Sequence, residues 1–229
     1  MALLNRIKRK IDENGLKYYL FRPHKIIKFI LLKLYQHLHY HKEEMYVLYM
    51  ELRPRSVKDI GNIYVIDKFE PLQEFIHLRE IEDSSLSNRN YAEEVRKRFA
   101  ENYICVVYEK DDQVVSVIFL SNYKVHQETI NYTFKIPDNT ISLHDAYTLN
   151  KYRNQGIYSL IFVELINICV KKGYETICGA FLPQNIGSIS LHNRLGMKKI
   201  NEKVVWHHCL GFSWYEVKNV DMDSADLLK

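Results

Sequence analysis

The sequence predicts an α/β domain built on a mixed sheet with helices on both faces. Two alternating apolar segments, Tyr103–Glu109 and Val114–Ser121, flank the polar turn Lys110-Asp111-Asp112-Gln113, the pattern of an antiparallel hairpin. From Ile141 to Val217 strand-like and helix-like segments alternate, which brings strands side by side with helices over them. The length of 229 residues, 47% of them hydrophobic, suits one globular domain with an extension.

Met45–Arg53 alternates and is rich in Tyr and Val, so it reads as a strand that Pro54 closes. Lys68–Asp83 and Asn90–Asn102 read as helices, with Phe69, Leu72, Phe75 and Ile76, then Tyr91, Val95 and Phe99, at three- and four-residue spacing. Lys124–Ile136 is a strand region ending at Pro137-Asp138-Asn139, and Ile141–Leu149 is a strand. Gly156–Lys172 is an apolar helix stopped by Gly173. Thr176–Leu182 is a buried strand, Asn185–Leu195 a helix stopped by Gly196, and Met197–Trp206 and Gly211–Val217 the last strands. Three parts are expected: a basic amphipathic helical extension over 1–44, a domain over 45–218, and an acidic flexible tail over 219–229.

The net charge of +4 is uneven: residues 1–42 carry ten Lys/Arg against two acids, and the remaining residues carry 22 against 26. The basicity belongs to the extension, so no nucleic-acid partner is expected for the domain. Within the extension, His24–Tyr40 is too apolar for a free solvent helix and too charged to span a bilayer. It is expected to lie in an interface: on the domain, on a second copy as a homodimer, or on a membrane surface. With no signal-type apolar run and no span of ~20 apolar residues, a cytoplasmic location is expected, with the inner face of the membrane as the variant. Cys105, Cys169, Cys178 and Cys209 form no CxxC pair and read as free thiols in a reducing compartment. His37, His39 and His41 lack a carboxylate or thiol set to complete a metal site, so no metal is expected.

The chemistry is concentrated at Arg153-Asn154-Gln155-Gly156-Ile157-Tyr158, a turn between a strand and a helix. Such a turn aims unpaired N–H groups at an anion from the positive end of the helix dipole, and Gly156 lets a ligand approach the backbone. The turn has no G-K-[ST] ending and a single glycine, which sets aside the P-loop and the dinucleotide fingerprint. Asn185 is placed to cap the next helix or to send its amide to a ligand, and Ser188 and His192 follow on the same face.

Arg153 to Tyr158, followed by Asn185, Ser188, Leu191, Arg194, Gly196 and Met197, resembles the two motifs of the GNAT superfamily of acyl-CoA-dependent N-acyltransferases. The resemblance is specific over 141–218 and departs at Tyr158, where the family has a small residue, and at His192, where it often has tyrosine. It implies a mostly antiparallel sheet splayed at its centre. It also implies acetyl-CoA, or another acyl-CoA, as co-substrate, and no metal. Main-chain groups of Tyr147, Thr148 and Leu149 would pair with the pantetheine arm, with the Thr148 N–H facing the thioester carbonyl. Arg153, Asn154, Gln155, Gly156, Ile157, Tyr158 and Ser159 would hold the pyrophosphate, and Asn185 and Ser188 would flank the pantetheine.

His192 would then be the acid for the leaving thiolate, or else a partly buried helix residue with a backbone partner. By strand parity His144 shares a face with Thr148 and is the candidate base; a bulge between them would reverse this. The implied function is N-acetyl transfer to an amine of a small molecule or amino sugar, the extension pointing to cell-surface polysaccharide synthesis. The alternatives are a non-catalytic CoA-binding module and a protein docking on membranes or partners.

Overall fold

The computed structural model describes residues 40–56, 62–86, 90–127, 132–209 and 212–228. The expected extension lies outside them except for its last residues. The chain divides into two compact units, one of 44–204 with 217–229, the other of residues up to Glu43 with Val205–Glu216.

The fold is mixed α/β, with an eight-stranded sheet of order β10-β9-β1-β8-β7-β4-β3-β2 among the described residues. The strands are β1 (His41–Glu51), β2 (Ile63–Ile66), β3 (Ile104–Lys110), β4 (Gln113–Ser121), β7 (Thr140–Thr148), β8 (Thr176–Phe181), β9 (Lys199–Cys209) and β10 (Phe212–Asp223). A hairpin of β5 (Lys124–Gln127) and β6 (Tyr132–Lys135) stands as its own two-stranded sheet where one strand region was expected. Four α-helices stand among the described residues: α1 (Gln73–Glu82), α2 (Tyr91–Ala100), α3 (Ile157–Lys171) and α4 (Ile186–Arg194). The neighbours β1/β8, β2/β3, β3/β4 and β4/β7 are antiparallel, and β7/β8 is parallel.

Strand parity makes the sandwich. In β4, Ile118 and Leu120 enter the cluster that α3 covers with Ile161, Phe162, Leu165 and Ile166. Val117 and Phe119 enter the opposite cluster, with Phe75 and Ile76 of α1 and Tyr91 and Val95 of α2. The helix expected from Lys68 starts later: Pro71 sits in a short 3₁₀ turn, Glu70–Leu72, before α1. Strand β2 was not foreseen; it has four residues and a pairing only with β3.

Where an acidic flexible tail was expected, residues 219–228 lie in strand and turn. Strand β10 continues to Asp223 and a 3₁₀ turn covers Ser224–Leu228. Ser224 is fully buried and its N–H donates to the Lys198 carbonyl at 2.7 Å. Val220, Met222 and Leu227 pack on the α3-side core, so burial of alternate apolar residues outweighs the acidic composition.

In the smaller unit, the Tyr40 hydroxyl lies 2.6 Å from His207 Nδ1 and the His207 ring stacks on Trp214 at 5.0 Å.

Candidate active site

The centre of the sheet opens at β7. Its pairing with β4 runs from Ser142 to Thr148, but its pairing with β8 stops at Leu143↔Gly179. Among the described residues, no strand pairs with the β8-facing edge of β7 beyond Leu143. The Leu149 N–H donates to the Val115 carbonyl at 3.0 Å on the β4 side. By alternation the main-chain groups of Tyr147 also face β4, and those of Ala146 and Thr148 face the opening. This corrects the expected set of Tyr147, Thr148 and Leu149: only Thr148 of the three is turned to the opening, together with Ala146. The Thr148 carbonyl already accepts Arg153 Nε at 2.9 Å, and its hydroxyl lies 2.8 Å from Ser116 Oγ.

A β-bulge sits at His144, because Phe119 pairs Asp145 while Leu120 pairs Leu143. The extra residue reverses the parity argument for His144. Ala146 packs with the α3-side core, whereas the His144 ring meets Tyr103, a residue of the α1/α2-side core, edge-on at 5.3 Å. His144 is therefore not on the face of Thr148, and strand parity does not place it as a base.

Asp145, next along, is locked. Arg79 reaches both of its oxygens at 3.0 Å, Arg98 reaches Oδ2 at 2.5 Å and the Tyr91 hydroxyl donates to Oδ2 at 3.0 Å. Burial alone would raise this carboxyl, but the Arg79 and Arg98 guanidinium groups hold it well below the ordinary carboxylate range. It serves as an anchor of α1 and α2 on β7, with no tendency to take a proton. Sequence reading missed the two arginines, although a signal was present: Arg79 is four residues after Phe75, and Arg98 three after Val95, on the apolar stripes of their helices.

Beyond β7, the chain turns through a 3₁₀ stretch, Asn150–Tyr152, into α3. Gly156 is the N-cap at φ 76, with no side chain capping the helix. A Cβ built there would meet nothing within 4 Å, so the space in front of the glycine is open. The first-turn N–H groups of Ile157, Tyr158 and Ser159 have no partner within the helix by its geometry. Gln155 closes the turn, donating to the Lys151 carbonyl at 3.1 Å and accepting from Lys110 Nζ at 3.2 Å. Lys110 is a third missed residue, brought in by the β3–β4 hairpin. Glu82 is a fourth: its Oε2 accepts the Asn150 N–H at 2.8 Å and the Tyr147 hydroxyl at 3.3 Å, tying the end of α1 to the turn. Arg153 lies over the Tyr147 ring at 4.8 Å. The turn is thus a positive, open helix start beside a free strand edge, an arrangement suited to an elongated anionic ligand.

Asn185 and Ser188 lie at the start of α4. Asn185 Oδ1 accepts the Ser188 N–H at 3.3 Å, which is the capping alternative for its carbonyl oxygen. His192 is buried, its Nδ1 donating to the Ser188 carbonyl at 2.8 Å and its Nε2 lying 2.8 Å from the Tyr158 hydroxyl. Burial lowers its pKa to about 4, against a smaller upward pull from the Ser188 carbonyl. Here the reading of a buried helix residue with a backbone partner matches the geometry. The role of acid to the thiolate does not: the one N–H of the neutral ring is held by the carbonyl, and Nε2 has no proton to give. Tyr158 solves its own departure by turning its ring back over Phe162, 6.1 Å between centroids and 26° between planes, which leaves its N–H at the helix start.

Residues 66–197, more than half of the chain, match the model of the acetyltransferase (GNAT) family. The chain belongs to that family. Solved structures similar to this acetyltransferase-family chain include a functionally unknown conserved protein from Staphylococcus epidermidis. That protein is 15% identical, with 83% of this chain and 68% of that one covered and a TM-score of 0.48. An aminoglycoside 6'-N-acetyltransferase from Acinetobacter haemolyticus is 21% identical over 61% of this chain and 92% of that one, with a TM-score of 0.44. A GCN5-related N-acetyltransferase from Sphaerobacter thermophilus is 14% identical over 84% and 58%, with a TM-score of 0.46. Among the described residues no helix is long and apolar enough to cross a membrane.

Proposed function

We propose that this chain transfers an acetyl group from acetyl-CoA to an amine of a small molecule or amino sugar by direct attack on the thioester. One observation carries the reading: β7 parts from β8 at Leu143↔Gly179, and the strand edge so freed runs to the uncapped, open start of α3 at Gly156. The turn Arg153–Ser159 takes the diphosphate through main-chain N–H groups. The main-chain groups of Ala146 and the Thr148 N–H pair with the pantetheine arm, and Asn185 and Ser188 border it through α4. Catalysis then consists of proximity and of donors placed at the thioester oxygen. The catalytic domain covers the residues between the extension and the C-terminus. The basic, apolar stretch 24–40 favours an acceptor handled at the inner membrane face, which makes amino sugars of cell-surface polysaccharides the first acceptors to try.

Isothermal titration with acetyl-CoA, followed by thiol release on a panel of glucosamine, spermidine and kanamycin, tests the reading. Micromolar binding and turnover of an amine are expected. No binding at millimolar acetyl-CoA sinks the coenzyme assignment, whereas binding without turnover on any amine leaves a non-catalytic module.

A further inference from the structure

Both faces of β7 are covered by apolar side chains. Ile141 and Leu143 enter the α3-side core, and Tyr147 packs on the core under α1 and α2. Burial of apolar residues therefore discriminates poorly between registers of this strand, since a slip of one residue exchanges one apolar face for another. Yet the register is specific. His144 and Asp145 together stand opposite Phe119, after which Ala146, Tyr147 and Thr148 pair Ile118, Val117 and Ser116.

Asp145 cannot change faces. Its carboxylate is held by Arg79 of α1 and Arg98 of α2, with the Tyr91 hydroxyl as a further donor. In a register without the bulge, His144 would pair Phe119 and Asp145 would pair Ile118. The carboxylate would then enter the cluster that holds Ile161, Phe162 and Leu165, with both arginines left on the other side of the sheet. Stability does not account for the charges. Two guanidinium groups share one carboxylate, all three nearly out of water, and Arg79 Nε is buried with no acceptor among the described residues. Apolar side chains of like volume would pack there at little or no loss, and the best-attested use of buried charge is to fix registry.

We propose that Asp145, Arg79 and Arg98 select the bulged register of β7 and thereby decide which main-chain groups face the opening. In the observed register these belong to Ala146 and Thr148; one residue away they would belong to Tyr147 and Leu149. The three are positioning residues, each acting through the strand rather than on a ligand. The consequence for coenzyme binding rests on the acyl-CoA reading of the site; the register does not.

Amide exchange of the full chain without ligand, followed residue by residue by NMR, reads the register directly. In the wild type the Ala146 and Thr148 amides should exchange about a hundredfold faster than those of Tyr147 and Leu149. The triple variant Arg79→Met, Arg98→Met, Asp145→Leu should melt within about 3 °C of the wild type yet lose that contrast. Its acetyl-CoA affinity should be at least about tenfold weaker. Asp145→Asn leaves two guanidinium charges uncompensated but is still too polar for the α3-side core, so it should melt lower and keep the contrast. A purely stabilising role would make loss of contrast follow loss of stability across the two variants. A triple variant that keeps the wild-type contrast overturns the proposal, and so does one that fails to fold. Absence of acetyl-CoA binding to the wild type sinks the coenzyme reading alone, and the exchange result still decides the register.

Discussion

A buried imidazole with one nitrogen on a carbonyl and the other on a phenol is costly to charge because burial strips the imidazolium of water, and His192 is in that position. Its pKa in the fold is about 4, against 6.5 for a free histidine. Below about pH 6.5 the unfolded chain takes a proton that the folded chain refuses, so stability present at neutral pH is lost as pH falls toward 4. Asp145 is depressed instead, and its contribution persists through that window, fading only below the usual carboxylate range. Urea unfolding at about pH 7 and about pH 4.5 should therefore show a loss of about 2.5 kcal/mol in the wild type on this account. In His192→Gln the loss should shrink to below about 1 kcal/mol, since glutamine has no titration there. Parallel losses in the two proteins would assign the acid sensitivity to other groups.

At the level of elements, the turn into α3 shows which signals are local enough to be read without a structure. A single glycine between a polar turn and an apolar helix marked the start of α3 within one residue, because φ 76 at Gly156 is a property of that residue alone. The bulge at His144 could not be read, since it exists only in the register of β7 against β4, two strands separated by the β5–β6 hairpin. The same lack of register information misplaced Tyr147 and Leu149 at the opening. Gly156→Ala separates conformational cost from ligand approach. The left-handed backbone should cost about 1 kcal/mol of stability. The added methyl meets no protein atom, so any larger effect must fall on the ligand. Thermal unfolding should register the small loss, and calorimetry a fall in acetyl-CoA affinity of at least about tenfold. An affinity that stays unchanged while stability falls would mean that no ligand approaches the turn at Gly156.

For the molecule as a whole, the order of strands and helices other than β2 and the β5–β6 hairpin was legible because periodicity is a local property, and so was the helix face bearing Ser188 and His192. What was not legible depends on long-range burial. Residues 219–228 carry three aspartates and read as solvated, yet they complete the sheet edge and close over the end of α4. Asn193 of α4 donates to Ser224 Oγ at 2.5 Å, and that hydroxyl donates to the Met197 carbonyl at 3.3 Å, so the C-terminal turn backs the helix that holds His192. A chain ending at Lys218 loses these bonds together with the packing of Val220, Met222 and Leu227. Each partly buried apolar side chain is worth about 1 kcal/mol, so the truncated protein should melt about 10 °C lower than the full chain. Ser224→Ala, which keeps the apolar contacts and removes the buried hydroxyl, should melt about 3 °C lower. Thermal unfolding by circular dichroism distinguishes the outcomes: a truncated chain that melts with the full-length protein would return residues 219–229 to the role of a tail.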